Sequence, residues 1–362
     1  MMTIDFNAKQ RQYEAHKEAI DGLLLQSITY GSATSRKSIP QLEKDLAAYV
    51  GAEDAIVCNT QFNAFILLFM VLGLKAGDEV ITSPLSSGIA VQASLFMGAK
   101  VIFVDVDETD FTLDVEQIED AITERTKFII PVSLFGNCAD METINTLALQ
   151  HDLCVIEDAA DSFGSRQNNR NSCQLSKLAT TSFHPDMPLN GLGNGAALFI
   201  EDRELRAKAR ELRTQGKDGD TYRSIGIEAC MDEAQAAVVD FKLSIFDDEI
   251  RRRQNAADNY TSALKESSIK LPLLDPQSNF AYYPVCLGNR QAVVARLSQE
   301  NIETKIPFTQ PLHLHDAFSF MDYAVGDFPV SEKLANELLL LPLHAYLTPE
   351  EQNKIITSLL HE

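Results

Sequence analysis

The chain has 362 residues, of which 45% are hydrophobic, so it is long enough for a large globular domain and a smaller one. Its 31 basic and 52 acidic residues give a formal net charge of -21. We expect neither nucleic acid nor an anionic membrane as a partner, because both would be repelled by this charge.

The N-terminal stretch, MMTIDFNAKQRQYEAHKEAI, is polar and lacks the apolar segment of a secretory signal. The longest apolar run, AFILLFMVLGL from Ala64 to Leu74, is too short to span a bilayer and predicts a core helix. The six cysteines show no CxxC spacing, so they indicate neither a zinc site nor a disulfide framework. We therefore expect a cytoplasmic protein.

Short β-branched runs alternate with helical patterns from about Leu42 to Ile200. In chain order the runs are AIVC, EVITSP, VIFVDVD, FIIPVSLFG, CVIEDAA and AALFI. Such alternation is typical of βαβ units, in which helices cover both faces of a mostly parallel sheet. The sequence therefore predicts an α/β fold.

Apolar residues recur at helical spacing from Asp232 to Leu264, over a segment longer than a typical globular helix. We interpret this segment as a bridge between two domains. After it, FAYYPVCL predicts a strand, RQAVVARLSQEN predicts a helix, and the residues from Pro349 predict a last helix. The predicted domains are therefore a large one over residues 1–245 and a small C-terminal α+β domain over residues 246–362.

Seven motifs stand out along the chain: GAEDAIVCNT, AGDEVITSP, GAKVIFVDVDETDFTLD, IIPVSLFGNCADM, VIEDAADSFGS, TSFHP and FPVSEKLANELLLLPLH. In order and spacing the chain resembles the DegT/DnrJ/EryC1/StrS sugar aminotransferases over nearly its whole length. The resemblance implies the type I fold of transferases that depend on pyridoxal phosphate (PLP), with a large domain on a seven-stranded, mostly parallel sheet. It also implies a homodimer with pockets at the subunit interface and a nucleotide-linked ketosugar as the substrate class.

Two residues keep cofactor contacts that the resemblance implies. Asp158, in VIEDAADSFGS, matches the aspartate that pairs with the pyridine nitrogen of PLP. Ser182, in TSFHP, matches a hydroxyl that bonds the cofactor's phosphate. Without the motifs, an aspartate at a strand end is equally well explained as a helix cap, and a serine as a turn cap. Both assignments therefore depend on the resemblance.

The segment TSFHPDMPLNGLGNGAALFI aligns without a gap with the family pattern S-F-[HY]-x-x-K, and the lysine of that pattern falls on Met187. A thioether forms no Schiff base and moves no proton, and general base catalysis alone contributes roughly 100- to 10,000-fold. Lys177, the nearest lysine, lies on the far side of the strand that leads into Ser182, so we do not expect it to substitute. The resemblance therefore implies that position 187 is inactive.

Further family contacts are altered as well. Thr60 and Gln61 stand at the Gly-Thr pair that binds the phosphate at a helix N-terminus. Gly88 falls on the aromatic residue that stacks on the ring, and Asp161 on a Gln or His that faces the ring's 3-oxygen. Glu228 falls on an asparagine that reaches the phosphate across the dimer, where a like charge at about 4 Å would cost roughly 4 kcal/mol at an effective dielectric of 20.

His184 is the remaining candidate for catalysis. Some relatives that remove a sugar hydroxyl carry histidine in place of the lysine, but His184 lies three residues earlier, at a position commonly occupied by His or Tyr. An ordinary pocket residue is therefore the favoured interpretation. A cation site built from His184 with Asp158, Asp161 and Glu228 is a weaker alternative, and we expect no metal.

Two functions stay open from the sequence. The first is a degenerate sugar aminotransferase homologue in nucleotide-sugar or surface-polysaccharide biosynthesis, which has lost PLP transamination and binds a sugar nucleotide or a partner. The second is an active aminotransferase or dehydratase acting on a nucleotide-linked ketosugar. Met187 and Glu228 favour the first function, whereas Asp158 and Ser182 favour the second. We expect no cofactor under the first function, and PLP if there is one.

Overall fold

The computed structural model describes residues 3–34 and 38–360. The helices are α1 (Lys9–Ala15), α2 (Lys17–Thr34), α3 (Ser38–Val50), α4 (Gln61–Leu72), α5 (Ile89–Phe96), α6 (Val115–Ile118), α7 (Met141–Gln150), α8 (Arg203–Arg213), α9 (Glu233–Leu264), α10 (Arg290–Gln299), α11 (Pro329–Glu337) and α12 (Pro349–Leu360). The strands are β1 (Ile56–Cys58), β2 (Glu79–Thr82), β3 (Lys100–Phe103), β4 (Thr126–Ile130), β5 (Cys154–Asp158), β6 (Arg166–Gln167), β7 (Arg170–Asn171), β8 (Leu178–Ser182), β9 (Ala196–Ile200), β10 (Lys217–Asp218), β11 (Thr221–Tyr222), β12 (Tyr283–Cys286) and β13 (Leu338–Leu341).

A seven-stranded sheet forms the centre of the molecule, with the strand order β1-β9-β8-β5-β4-β2-β3. Neighbouring strands from β3 to β8 run parallel, whereas β9 is antiparallel to both β8 and β1. Each of the β-branched runs singled out in the sequence supplies a strand of this sheet. The predicted α/β fold with a mostly parallel seven-stranded sheet is thus confirmed.

Helices cover both faces of this sheet, and two of the apolar cores lie on opposite faces. The first core contains residues of α4, α5 and α8, and the second contains residues of α3 and α9. In β9, Leu198 belongs to the first core and its neighbour Phe199 to the second, because successive side chains of a strand point to opposite faces. The sheet is therefore buried on both sides, as parallel sheets require.

The apolar run predicted as a core helix forms α4. Its side chains from Phe65 to Phe69 are buried in the first core. The helix ends where Gly73 adopts a left-handed conformation with φ of 72°, which glycine tolerates without steric cost. None of the helices in the described ranges is both long and apolar enough to cross a membrane.

The long helix α9 contributes to two cores. Its first half places Val239 and Phe246 in the second core, and its second half places Ala257 and Tyr260 in a third core with β12, β13, α10 and α12. Because β12 and β13 pair antiparallel, the C-terminal part is α+β, as the sequence predicts. The domain boundary between residues 245 and 246 falls inside α9 and stays a prediction.

Candidate functional site

A cavity of about 390 Å³ lies at the C-terminal ends of β5 and β8, beside the N-terminus of α4. Crevices at this edge of a parallel sheet are the usual ligand sites of α/β proteins. Its wall contains these predicted site residues: Thr60, Gln61, Asp158, Asp161, Ser182, His184 and Met187. Three segments that are far apart in the sequence, 60–61, 158–161 and 182–187, therefore meet around one cavity.

Asp158 ends β5 and is buried at the base of the cavity. Its Oδ1 accepts hydrogen bonds from the side-chain Nε2 of Gln61 at 2.6 Å and from the backbone N–H of Ala160 at 3.3 Å. Burial raises the pKa of Asp158 to about 6, although the bond from Gln61 lowers it. Its Oδ2 makes no hydrogen bond with any residue that the structure describes, so this oxygen can accept from a ligand.

Gln61 begins α4 and is 3% exposed. Its Nε2 donates to Asp158 and, at 3.2 Å, to the hydroxyl of Thr180. An ionised carboxylate only accepts, so the amide must turn its NH₂ group toward Asp158 and its oxygen away. That oxygen, Oε1, is buried and has no hydrogen-bond partner within the described residues. An unpaired buried acceptor costs free energy, and a ligand that donates to it would recover this cost.

Thr60 is the N-cap of α4, and its Oγ1 accepts from the backbone N–H of Asn63 at 3.1 Å. This bond satisfies one of the N–H groups that a helix leaves free at its start. The N-terminus of α4 therefore offers an anion one amide fewer than an uncapped helix would, although the hydroxyl hydrogen of Thr60 stays available.

Asp161 lies three residues after Asp158, and its Oδ2 accepts from the backbone N–H of Phe135 at 2.9 Å. Burial raises the pKa of Asp161 to about 7; the bond from Phe135 opposes this shift and the charge of Asp158 adds to it. Lys305 lowers the pKa of Asp161 in turn. Asp161 therefore takes up a proton as the pH falls through about 7, and Asp158 as it falls through about 6.

Asp161→Asn is expected to stabilise the fold more at pH 8 than at pH 5. The raised pKa of Asp161 favours folding at low pH, and this contribution is lost as the pH rises through about 7. Asparagine keeps an acceptor for Phe135 and carries no charge. We expect the gain in unfolding free energy at pH 8 to exceed that at pH 5 by on the order of 1–2 kcal/mol. Denaturant titrations at both pH values measure it, and an equal gain at both contradicts it.

A tight turn after β8 positions residues 182 to 187. The backbone N–H of Met187 donates to the carbonyl of His184 at 2.8 Å, and the N–H of His184 donates to the hydroxyl of Ser182 at 3.2 Å. Nδ1 of His184 accepts from the backbone N–H of Asp186 at 3.2 Å, so in the neutral ring the proton is on Nε2. His184 is exposed at the cavity mouth, and the half-buried thioether of Met187 forms part of the wall.

Gly88 precedes α5 in a left-handed conformation with φ of 77°. A side chain here would be strained, and its Cβ would lie 3.2 Å from Cδ2 of Leu312. The cavity wall beside it is formed by Ser87 and Ile89. None of these three positions carries an aromatic side chain, although Phe62 and Tyr282 line the same cavity, and the role of Gly88 stays a prediction.

Glu228 is exposed and does not line the cavity in the described chain. Its backbone forms an isolated bridge with Thr214, and its carbonyl accepts from Nδ2 of Asn59 at 3.4 Å. The role across a dimer that the sequence implies for Glu228 stays a prediction. Within the described ranges no group of three or more His, Cys, Asp or Glu side chains could hold a metal ion.

The cavity also has charged walls that sequence reasoning missed. Lys305 lines it, with its Nζ 3.4 Å from Oδ2 of Asp186, and Oδ1 of Asp186 is 2.6 Å from Nζ of Lys9. Lys9 chiefly, and Lys305 to a lesser degree, hold the pKa of Asp186 below its usual range. Tyr282 donates from its hydroxyl to the carbonyl of Asp186 at 2.9 Å. No motif marks these residues, because they come together only through the packing of the C-terminal part.

Another lysine, Lys242, stabilises the loop that contains Met187. Nδ2 of Asn190 donates to the carbonyl of Met187 at 2.9 Å, and Nζ of Lys242 donates to Oδ1 of Asn190 at 2.5 Å. Burial lowers the pKa of Lys242 to about 8. Lys242 does not line the cavity, and its bond to Asn190 makes it a positioning residue for this loop.

Comparison with known proteins gives consistent results. The sequence model of the DegT/DnrJ/EryC1/StrS aminotransferase family matches residues 14–360. The chain is 36% identical, over 95% of its length and 96% of the relative's, to a UDP-2-acetamido-2-deoxy-3-oxo-D-glucuronate aminotransferase of Pseudomonas aeruginosa. S. venezuelae DesV, solved in complex with a ketimine intermediate, superposes with a TM-score of 0.96 at 29% identity over 99% of this chain and 98% of that one. NtdA from Bacillus subtilis, solved with bound cofactor PMP, gives 0.89 at 28% identity over 96% and 82%.

Proposed function

Because the chain belongs to the DegT/DnrJ/EryC1/StrS aminotransferase family, we propose that it is a sugar-nucleotide-binding member without PLP transamination. Relatives in this family are named as nucleotide-sugar aminotransferases, which supports nucleotide-sugar or surface-polysaccharide biosynthesis as its setting. The observation that carries the proposal is the thioether of Met187 in the wall of the cavity, at the position where the family motif has its lysine.

Transamination needs an amine that holds the cofactor and a base that moves a proton at the reacting carbon. Met187 does neither, and Nδ1 of His184 is occupied by a backbone donor. Lys305 is in the wall, but its ammonium is held by Asp186. The catalytic steps of the relatives therefore have no matching group at the position that the motif assigns to them.

The remaining residues fit PLP only in part. When bound, PLP supplies an electron sink, and Asp158 offers Oδ2 to its ring nitrogen. The hydroxyls of Ser182 and Thr60 are compatible with a phosphate. Gln61, however, already donates to Asp158, and Asp161 adds a carboxylate where the family has a neutral or basic side chain. We therefore propose that the cavity does not hold PLP as the relatives hold it, and that the chain's own residues bind and orient a ligand.

An active aminotransferase or dehydratase is the second candidate. The open Oδ2 of Asp158 and the hydroxyl of Ser182 in the same cavity favour it, since both match cofactor contacts of the family. Under either candidate we propose a homodimer. The cysteine pattern supports a cytoplasmic location as part of the proposal.

Absorbance spectra with added PLP test the proposed function. We expect no band of bound PLP that borohydride fixes to the protein, and no amino transfer from glutamate to a keto-sugar nucleotide above a no-enzyme control. Mass spectrometry of the reduced protein confirms whether a covalent adduct is present. A fixed adduct together with turnover would contradict the proposal, whereas turnover with PMP and no fixed adduct would favour the dehydratase candidate.

A further inference from the structure

The base of the cavity presents hydrogen-bond acceptors that lack donors. Oδ2 of Asp158 and Oδ1 of Asp161 make no hydrogen bond with any described residue, and Oε1 of Gln61 is buried and unpartnered. All three residues line the same cavity. An amide oxygen with two carboxylates attracts a cationic donor, and repels a phosphate or a carboxylate.

Nearby charges offset only part of the negative charge of this acceptor group. Asp186 is paired with Lys9 and Lys305, so these three groups together carry one net positive charge against the two carboxylates of Asp158 and Asp161. Tyr282 stays protonated, because burial, with the charges of Asp161 and Asp186, raises its pKa well above the usual range.

Two further titratable groups lie nearby, and one of them, Glu157, points to the opposite face of the sheet from Asp158 because successive side chains of a strand alternate. Glu157, next to Asp158 in β5, is buried with its carboxylate bonded to the hydroxyl of Ser172 and the N–H of Cys173. His184 is at the mouth of the cavity, where Nδ1 is already bonded to the N–H of Asp186. Glu157 carries no positive charge in either protonation state, and His184 carries none when its ring is neutral.

We infer that the cavity binds the primary ammonium group of a sugar between Asp158, Asp161 and the oxygen of Gln61. The ligand class is a nucleotide-linked sugar that carries a free amine, which donates three N–H bonds to the three open acceptors. The inference rests on the proposed function, because a sugar nucleotide is the ligand under both. The inference goes beyond the proposed function because it assigns the ligand's own amine to the part of the cavity where the family holds the cofactor.

Calorimetric titration with two matched ligands tests the inference. UDP-glucosamine and UDP-glucose differ by an ammonium in place of a hydroxyl, so shape is nearly constant between them. We expect UDP-glucosamine to bind at least about tenfold more tightly at pH 7.5, because a close charge pair in a partly buried site outweighs a neutral hydrogen bond.

The pH dependence separates charge recognition from shape. Ammonium binding requires ionised carboxylates, and burial raises the pKa of Asp158 to about 6 and of Asp161 to about 7. The preference for UDP-glucosamine should therefore shrink as the pH falls from 7.5 to 5.5. At pH 6.5 its binding should release protons, which titrations in buffers of different ionisation enthalpy detect. UDP-glucose should show neither effect.

Variants identify the residues responsible. Asp161→Asn and Asp158→Asn should each bring the ratio of the affinities for UDP-glucosamine and UDP-glucose close to one. Gln61→Thr should lower this ratio in part. Lys305→Gln should increase it, because it removes a competing positive charge. Asp110→Asn is the matched control: it changes a partly buried carboxyl whose pKa is also raised by burial but which lies outside the cavity, and it should leave the preference unchanged.

Each outcome decides the inference. Equal affinity for the two sugars, or binding of neither, overturns it, as does a preference that survives both aspartate substitutions. The proposed function fails separately, through a borohydride-fixed PLP adduct with turnover. A fixed adduct in a protein that still prefers UDP-glucosamine with proton release would overturn the proposed function and leave the ammonium site standing.

Discussion

Replacement of Glu43 with alanine is expected to lower the free energy of unfolding by about 3–5 kcal/mol, as for other buried charges that lose their partner. Glu43, in α3, is 6% exposed. Its carboxylate lies 2.7 Å from Nη1 of Arg210 and 2.6 Å from Nη1 of Arg213, and it accepts from the N–H of Val57 at 3.0 Å. One substitution therefore leaves two guanidinium groups and a buried amide of β1 short of an acceptor.

Denaturant titration of the variant measures this loss. Glu53→Ala is the matched control, because Glu53 also bonds an arginine, Arg206 at 2.6 Å, but its side chain is 79% exposed. We expect a loss of no more than about 1 kcal/mol there, as for surface ion pairs. Similar losses for the two variants would show that burial does not set the contribution of the Glu43 pairs.

This ion-pair network also supports the cavity. β1 is followed directly by the N-terminus of α4, where Thr60 and Gln61 line the cavity wall. Glu43 accepts from the backbone N–H of Val57, and Arg213 donates to the carbonyl of the same residue at 2.7 Å. The charges that anchor β1 therefore fix the start of α4 relative to the sheet, and hence the position of Gln61 opposite Asp158.

Much of the fold could be predicted from the sequence because burial leaves a direct mark on it. Most strands covered on both faces are apolar at every position, as the AALFI of β9 is, and such runs are visible without any knowledge of packing. β8, with the sequence LATTS, is an exception: it was not among the β-branched runs, and only the resemblance placed a strand before Ser182. Its two buried threonines satisfy their hydroxyls in the interior, for example Thr181 on the carbonyl of Ala159 at 3.0 Å.

The residues of the site also divide into those that the sequence predicts and those that it does not. Asp158 and Ser182 were found because the family motifs assign them, and the structure places them at the ends of β5 and β8, at one edge of the sheet. Lys305 and Tyr282 were missed because they reach the cavity from the C-terminal part, and a single sequence does not reveal which distant side chains will meet. The bond between Gln61 and Asp158 was missed for the same reason, although both residues were candidates.

Met187→Lys is expected to give a PLP adduct that borohydride fixes, where the natural chain gives none. The new amine would stand in the cavity wall near Asp158, which can accept from the ring nitrogen through Oδ2. We expect weak binding nonetheless, because Gln61 still donates to Asp158 and Asp161 still places a carboxylate in the wall. A like charge at about 4 Å opposes an anionic cofactor by roughly 4 kcal/mol at an effective dielectric of 20.

Restoring the family residues in this background should therefore matter more than the lysine alone. Adding Gln61→Thr and Asp161→Gln to Met187→Lys should tighten PLP binding by at least about a hundredfold, measured by PLP titration and by the reduced fraction on mass spectrometry. Glu228→Asn in the same background tests the predicted contact across a dimer: it should tighten binding only if Glu228 reaches the partner's cavity. The changes should not be additive, because the groups touch one ligand. If Met187→Lys alone binds PLP as tightly as the multiple variants, then Gln61, Asp161 and Glu228 do not oppose the cofactor, and the loss of PLP chemistry rests on position 187 alone.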